Sequence, residues 1–350
     1  MSAALEAFTA GGAMPVDVAQ IERQLHALWQ QGGDAVARAC LFNLVVWCES
    51  ETDRDRASAT IGELTGRHPC RAIVLLAEPG EPSLSASLSA HCHLTAGGRQ
   101  QVCCEQISVS AGGASVAQLA PTVLSLLEGD LPTVLWWRGN FLEQPEQFER
   151  LQVVANRVLF DSSAWRDAER WLPQLAERLA RPTTQVYADL SWTRLTLWRK
   201  LMADCFDDAH FHPLLPRLRH ALVTHNHGAG VRLRALLYAG WLATHLRWSP
   251  EDAAERVVLQ ECSGGDATDA GIESVELTAE GARVHLQRDC GECTASAVVT
   301  TPEWCSLPRK QALARPTELA LLSQEFNHIV PHTTYERALA MAAVLEQAQA

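Results

Sequence analysis

The sequence is poor in lysine and in positive charge. Lys200 and Lys310 are its only lysines, so 27 of the 29 basic residues are arginine, and 41 acidic residues bring the formal net charge to −12. Proteins that bind nucleic acids usually carry a basic footprint. The charge balance therefore argues against a nucleic-acid partner.

Long apolar runs are also lacking. A membrane-spanning helix needs about 18 or more apolar residues, and the best candidate, LRALLYAGWLATHL, is interrupted by Arg234, Thr244 and His245. The N-terminus carries Glu6 and has neither the basic start nor the apolar core of a signal peptide. We expect a soluble, cytoplasmic protein with no membrane partner.

The short motifs of common enzyme classes are missing. There is no GxxxxGK[ST] phosphate loop and no complete GxGxxG, HExxH or GxSxG signature. Gly228-Ala229-Gly230 gives the first half of a dinucleotide fingerprint, but Leu233 stands where the third glycine belongs. Spacing reveals no nucleophile–base pair, carboxylate pair or metal-ligand set. We expect a protein that is not an enzyme and binds neither a cofactor nor a metal.

What the sequence does contain is an alternation of apolar strands and helices. ACLFNLVVWC, CRAIVLLA, PTVLWW and RVLFD are short buried strands separated by helical segments. This alternation is typical of a mainly parallel open sheet flanked by helices. It predicts an N-terminal α/β domain over residues 1–185.

The remaining sequence differs in pattern. RVVLQEC, GIESVELTAE, GARVHLQRD and TASAVVTT are strands separated by glycine turns, and helices precede and follow them. Leu190 to Asp207 is expected to form one helix. The pattern predicts a smaller α+β domain with an antiparallel sheet over residues 186–350.

Two adjacent tryptophans mark the end of the strand PTVLWW. Neighbours in a strand point to opposite faces, so we expect one of Trp136 and Trp137 in the core and the other facing a cleft. Arg138 and Asp161 follow strands, and ligands bind at the carboxyl edge of open α/β sheets. Arg138 is therefore expected to mark the cleft.

Further arginines lie near tryptophans. Arg194 precedes Trp198 by four residues, a spacing that permits cation–π stacking on a helix. Two interpretations stay open. In the first, Trp137, Trp192 and Trp198 are core residues whose rings are covered at the edge by the aliphatic parts of arginine side chains. In the second, they belong to a recognition surface, because tryptophan and arginine are enriched in interface hot spots.

The eleven cysteines are scattered and odd in number. Cys290-Gly-Glu-Cys293 is either half a zinc site, a redox pair or two ordinary turn thiols, and the lack of a second CxxC disfavours zinc. Cys103 and Cys104 face opposite sides of a strand and are not expected to pair with each other. A disulfide scaffold is not expected in a chain of this size.

Several segments resemble one known family. RACLFNLVVWC, HPCRAIVLLAEP, LPTVLWWRG, RVLFDSS, DLSWTRLTLWRKLMADCFD and YERALAMAA stand in the order found in the glucose-6-phosphate dehydrogenase assembly protein family, OpcA. The resemblance runs from about residue 35 to about residue 345. The LWWRG and DLxWxRLxxWR elements are its most distinctive parts.

The resemblance implies a non-enzymatic assembly factor and allosteric activator. Members of the family bind glucose-6-phosphate dehydrogenase and favour its active oligomer in the oxidative pentose phosphate pathway, and in cyanobacteria they are linked to redox control through thioredoxin. The motifs supply candidate partner- or ligand-binding residues, namely Arg71, Trp136, Trp137, Arg138, Asp161, Trp192, Arg194, Trp198 and Arg199, and Cys290 and Cys293 are candidate redox thiols.

An alternative interpretation keeps a small-molecule function. Arginines at the carboxyl edge of the α/β sheet would also suit a sugar-phosphate-binding enzyme or sensor, because a guanidinium binds phosphate through two parallel hydrogen bonds. The lack of a recognisable acid–base pair counts against the enzyme form of this hypothesis.

Overall fold

The computed structural model describes residues 8–9, 12–32, 36–94, 101–262, 271–289, 293–313, 315–328 and 333–349. Contacts divide the chain into two compact units, each assembled from segments distant in sequence. Unit 1 comprises Met1–Phe160, Thr184–Ala188 and Glu318–Ile329, and unit 2 comprises Asp161–Thr183, Asp189–Thr317 and Val330–Ala350. The domain boundary near residue 185 stays a prediction.

The strands are short and fall into two sheets. In chain order they are β1 (Met14–Val16), β2 (Val36–Arg38), β3 (Phe42–Cys48), β4 (Cys70–Glu78), β5 (Ser83–Leu94), β6 (Gln101–Gly112), β7 (Thr133–Trp137), β8 (Arg157–Phe160), β9 (Val186–Asp189), β10 (His220–Asn226), β11 (Val257–Cys262), β12 (Ile272–Ala279), β13 (Ala282–Asp289), β14 (Thr294–Thr300) and β15 (Arg309–Ala312).

The helices lie between the strands along the chain or follow the last strand. In chain order they are α1 (Ile21–Gly32), α2 (Glu51–Leu64), α3 (Leu119–Leu126), α4 (Pro145–Gln152), α5 (Leu172–Leu179), α6 (Leu190–Arg194), α7 (Thr196–Asp204), α8 (Val231–His245), α9 (Pro250–Arg256), α10 (Glu318–Asn327) and α11 (Thr333–Gln349).

Unit 1 is built around one sheet. Its strands lie in the order β1-β5-β6-β4-β3-β7-β8-β9, and β2 also pairs with β6. The pairs formed by β6, β4, β3, β7 and β8 are parallel, whereas β1 and β6 each pair with β5 in antiparallel fashion. The mainly parallel α/β sheet predicted from the sequence is confirmed.

The uninterrupted apolar runs of the sequence are the central strands. All seven residues of β3 and all five of β7 are buried, because central strands of a parallel sheet are covered on both faces. Trp47 and Trp137 face each other in register, and their rings stack with centroids 4.6 Å apart. This aromatic pair fixes β3 against β7.

The strand order reverses between β3 and β7. From β3 the chain moves to β4 on one side, and it later returns to β7 on the other. Such a switch point opens a crevice at the carboxyl ends of the two strands, where open α/β sheets bind ligands. The residues that follow β3 and β7 therefore define the first region to inspect for a site.

Unit 2 contains the second sheet, with strand order β11-β10-β12-β13-β14-β15. The pairs from β10 to β15 are antiparallel, which confirms the predicted α+β domain with an antiparallel sheet. One feature differs from an all-antiparallel sheet: β10 and β11 are parallel. Helices α8 and α9 make the connection, as a parallel pair requires.

The single helix predicted from Leu190 to Asp207 is broken at Leu195 into α6 and α7. Side chains donate hydrogen bonds to the backbone carbonyl groups at the end of α6. The Arg199 guanidinium donates to the Trp192 carbonyl and the Thr196 hydroxyl donates to the Thr193 carbonyl, each at 2.7 Å. Such side-chain hydrogen bonds compete with the backbone hydrogen bonds of an α-helix. The break in the helix therefore has a local cause.

In unit 2, the backbones of α8 and α11 approach closely at Gly240. A Cβ atom at this position would lie 2.3 Å from the carbonyl oxygen of Ala338 and 2.9 Å from the amide nitrogen of Ala342. Both neighbours are backbone atoms and cannot rotate away. Only glycine allows this contact without moving one of the helices.

The Gly240→Ala variant is therefore expected to be less stable. Overpacking of a filled interior costs about 1–3 kcal/mol, which outweighs the gain of about 1 kcal/mol from the better helix propensity of alanine. Urea unfolding of both proteins measures the difference. Gly129→Ala is the matched control, because a Cβ there meets nothing within 4 Å; equal losses for the two variants would contradict the prediction.

Among the helices of the described ranges, none is both long enough and apolar enough to cross a bilayer.

Candidate functional site

The switch point of unit 1 is occupied by charged side chains of the chain itself. Arg138 follows β7, and its guanidinium lies 2.7 Å from Asp53 Oδ1 and 2.9 Å from Glu318 Oε1. The same guanidinium stacks over the Trp136 ring at 4.4 Å. Arg138 thus ties together α2, β7 and the start of α10.

Glu49 fills the neighbouring space. It follows β3, and its carboxylate accepts a hydrogen bond from Gln144 at 2.8 Å. A Cβ on Gly139 would lie 1.9 Å from its Oε1 atom, so the glycine makes room for this carboxylate. Burial, together with the charges of Glu143 and Asp53, raises the pKa of Glu49.

This carboxylate-rich crevice differs from a nucleotide site. Dinucleotide-binding sheets place a glycine-rich turn and a bare helix N-terminus at the switch point, where the amides bind phosphate. Here Ser50 caps α2 by accepting from the amide of Asp53, and Glu51 lies in the same turn. Carboxylates at the N-terminus of α2 interact favourably with the helix dipole, and their negative charge repels a pyrophosphate.

Both tryptophans of the LWWRG motif are interior residues. Trp136 is 2% exposed and Trp137 is 0% exposed. The expectation that one ring faces a cleft is therefore wrong. The cause is that helices cover both faces of β7, so alternation places one ring in each apolar layer rather than one ring in solvent.

Arg71 belongs to a buried ion cluster in unit 1. Its side chain is 4% exposed and its Nε atom lies 2.7 Å from Glu105 Oε1, a carboxylate that is 2% exposed. Glu22 and Glu128 also contact the guanidinium, at 2.6 and 3.2 Å. Glu105 accepts a further bond from Trp29. These contacts give Arg71 a structural role.

The other predicted residues come together in unit 2, around Asp161 and Asp189. The Arg194 guanidinium pairs with Asp161, with 2.6 Å between Nη2 and Oδ2. Asp189 is fully buried and accepts from the amides of Ser162 and Ser191 at 3.1 and 2.9 Å. The hydroxyls of Ser162 and Tyr335 donate to its second oxygen.

The two carboxylates of this network have opposite pKa shifts. Burial raises the pKa of Asp161. The charge of Arg194 and hydrogen bonds from Arg194, Ser163 and Ser191 lower it by a larger amount, so the net shift of this pKa is downward. Burial and the charge of Asp161 raise the pKa of Asp189. Ser162 and its acceptor Asp189 are each 1% exposed, so this hydrogen bond is an interior contact of the fold.

The aromatic residues of the DLSWTRLTLWR motif are buried in unit 2. Trp192 is 3% exposed and Trp198 is 4% exposed. The spacing of Arg194 and Trp198 permits a cation–π contact between them. The contact that the structure shows in this motif is Arg199 over the Trp192 ring, at 3.5 Å. Arg194 itself pairs with Asp161.

The cysteine predictions have a mixed outcome. Cys290 lies outside the described residues, and Cys293 is exposed with a free thiol. A disulfide that sequence reasoning missed joins Cys92 to Cys103, which face each other across β5 and β6. Only strand register could have revealed it, because the two residues are eleven positions apart with no motif between them.

Sequence reasoning also missed an exposed aromatic residue. In the segment between β14 and β15, Trp304 is 59% exposed and Leu307 is 87% exposed. The Trp304 ring packs on His210 at 5.0 Å, which holds it at the surface. The segment TPEWCSLP, with a proline near each end, was a usable signal for a surface loop.

Two family models match the chain. One describes the N-terminal domain of the glucose-6-phosphate dehydrogenase subunit and matches residues 45–177, and the other describes the C-terminal domain of that protein and matches residues 185–339. The chain belongs to the OpcA family. The matched regions contain the LWWRG and DLSWTRLTLWR motifs, so the resemblance inferred from those segments is confirmed.

Cyanobacterial OpcA proteins are among its relatives. The OxPP cycle protein OpcA of Nostoc punctiforme is 33% identical over 195 residues, which are 54% of this chain and 40% of the relative. The OpcA of Synechococcus elongatus is 29% identical over 222 residues, 62% of this chain and 47% of the relative. The chain thus matches less than half the length of each of these relatives.

A solved structure also aligns with this OpcA chain. Aldose-aldose oxidoreductase from Caulobacter crescentus, complexed with glycerol, covers 88% of this chain and 97% of its own at 10% identity, with a TM-score of 0.41. At that score the likeness carries no argument about function.

Proposed function

We propose that this OpcA protein is a non-enzymatic assembly factor that binds glucose-6-phosphate dehydrogenase and favours its active oligomer. The observation that carries the proposal is the match of both family models, which describe the two domains of a glucose-6-phosphate dehydrogenase subunit, to residues 45–177 and 185–339. The names of the relatives, which refer to the OxPP cycle, support it.

The charged crevice of unit 1 supports a role without nucleotide chemistry. Arg138 is held by two carboxylates, and Glu49 occupies the space beside Gly139. A protein that binds only the active oligomer of an enzyme shifts the population toward it through differential affinity. Such an activator needs no catalytic group of its own.

Exposed apolar residues support one surface for the proposed contact. The motif tryptophans are buried, whereas Trp304 and Leu307 are exposed on one short segment. Tryptophan is enriched among the residues that dominate interface energies. We therefore place the dehydrogenase contact at residues 301–308.

The test combines the purified chain with the dehydrogenase of the same organism. We expect a lower KM for glucose 6-phosphate and a shift to the larger oligomer in sedimentation velocity. Truncating a hot-spot residue costs about 2 kcal/mol or more, so Trp304→Ser should raise the concentration needed for activation at least about tenfold. No change in KM or oligomer with the unmodified chain would refute the function.

A matched control separates the contact surface from general surface change. Leu124 and Val153 are also exposed apolar residues, at 54% and 68%, but they lie in unit 1. Leu124→Ser and Val153→Ser should activate like the unmodified chain. If they lose activation and Trp304→Ser retains it, the proposed contact at residues 301–308 is wrong.

A further inference from the structure

Within the described residues, the second sheet is buried on one face only. Along β13 and β14, buried side chains alternate with half-buried or exposed ones, so the buried side chains share one face. The opposite side we call the open face. It is defined by a row of five side chains that strand register places next to one another across five strands, none of them buried: Val258, Leu222, Glu276, His285 and Val298.

The open face is large enough for a specific protein contact. Strands β10 to β14 each have six to eight residues. With about 4.8 Å between strands and about 3.4 Å per residue, these five strands form a face of roughly 24 Å by roughly 24 Å. Two such faces in contact remove roughly 1,000 Å² from water, which is the size at which specific protein–protein interfaces begin.

The charges on the open face are balanced, although the chain as a whole is acidic. A formal net charge of −12 makes two copies of the chain repel each other on average. On the open face, Glu276 pairs with Arg283 and lies 3.8 Å from His285, and Asp289 lies 3.7 Å from Lys310. The repulsion that separates two copies elsewhere is therefore weak at this face.

We propose that the open face binds the open face of a second copy of this chain, in a dimer with two-fold symmetry. A two-fold axis that runs parallel to the strands, between β12 and β13, places each β12 on the β13 of the other copy and each β10 on its β14. The row of side chains then meets itself in reverse order. Leu222 contacts Val298 of the second copy, and Glu276 lies against its His285.

Charge selects this axis over the other one that keeps the row on itself. An axis along the row would place Glu276 against Glu276 of the second copy, and like charges that face each other across an interface disfavour binding. Three of the five side chains in the row are apolar, and a contact of this small size and mixed polarity is typical of weak complexes. We expect a dimer Kd of about 1–100 μM.

This inference goes beyond the proposed function and does not depend on it. The segment of residues 301–308, proposed as the dehydrogenase contact, joins β14 to β15 at one edge of the sheet. The five side chains that define the open face lie on other strands or earlier in β14, so the two contacts use different residues. The test therefore uses the chain alone.

Sedimentation velocity of the full chain, without the dehydrogenase, at concentrations from about 1 μM to about 200 μM tests the proposal. We expect a monomer–dimer equilibrium that depends on concentration. Val298→Asp and Leu222→Arg should each raise the dimer Kd at least about tenfold, because each variant puts a charge against an apolar side chain. The double variant should return the Kd to within about threefold of the original value, since the two new charges are opposite in sign and meet across the axis.

Val153→Asp is the matched control, because Val153 is an exposed valine of unit 1, 68% exposed. It should dimerise like the unmodified chain, and thermal unfolding verifies the folding of every variant. A chain that stays monomeric throughout, single variants that dimerise normally, or a double variant no better than either single one would overturn the proposal. Loss of dehydrogenase activation in Val298→Asp, with a monomeric unmodified chain, would assign the open face to the dehydrogenase instead.

Discussion

Replacing Arg71 with methionine is expected to lower the free energy of unfolding by about 3 kcal/mol, the lower end of the range for breaking a buried ion pair, because Glu105 then keeps only Arg38 as a cationic partner, at 2.8 Å. The Arg71 and Glu105 side chains are 4% and 2% exposed. Methionine fills a similar volume, so the loss reports charge rather than a cavity. Urea unfolding at neutral pH measures it.

An exposed ion pair provides the control. Arg150 and Glu146 pair across one turn of α4, with side chains 42% and 73% exposed. Arg150→Met should cost at most about 0.5 kcal/mol, as is typical of such pairs. Adding Glu105→Gln to Arg71→Met should restore part of the lost stability. A loss below about 1 kcal/mol for Arg71→Met alone would contradict the assigned role.

The second large effect is expected for Asp189→Ala. The carboxylate accepts from two amides and two hydroxyls, and all of these donors are buried. Each buried group left unsatisfied costs about 1–3 kcal/mol. Since water can enter part of the space, we expect a total loss of about 3–5 kcal/mol in urea unfolding.

A graded control uses the same network. Tyr335→Phe removes one of the four donors and leaves the carboxylate in place, so its cost should be about 1 kcal/mol. The prediction for Asp189 is wrong if the two variants lose the same stability.

The fold was predicted correctly from the sequence for the strands in which every residue is buried. FNLVVWC and TVLWW are central parallel strands because apolar residues on both faces have only one stable location, between two layers of helices. The break at Leu195 was missed because it depends on side-chain bonds from Arg199 and Thr196 to backbone carbonyls, and helical periodicity does not register such bonds.

The candidate residues were predicted less well than the fold. Arg71, Trp136 and Trp192 were selected by motif, and a motif does not separate a buried residue from a contact residue. Arg194 and Asp161 are thirty-three positions apart and meet only in the folded unit, where they form an ion pair. Long-range pairing of this kind depends on tertiary contacts and has no local signature.

The segmented composition of unit 1 has a consequence for biosynthesis. Residues 318–329 belong to this unit although more than a hundred residues of unit 2 precede them. A ribosome therefore releases the partners of Arg138 and Arg157, which are Glu318 and Glu325, long after the sheet strands have emerged. We expect the nascent unit to lack the Arg138–Glu318 and Arg157–Glu325 ion pairs until residues 318–325 have been synthesised, so these two pairs form later than the contacts among the sheet strands.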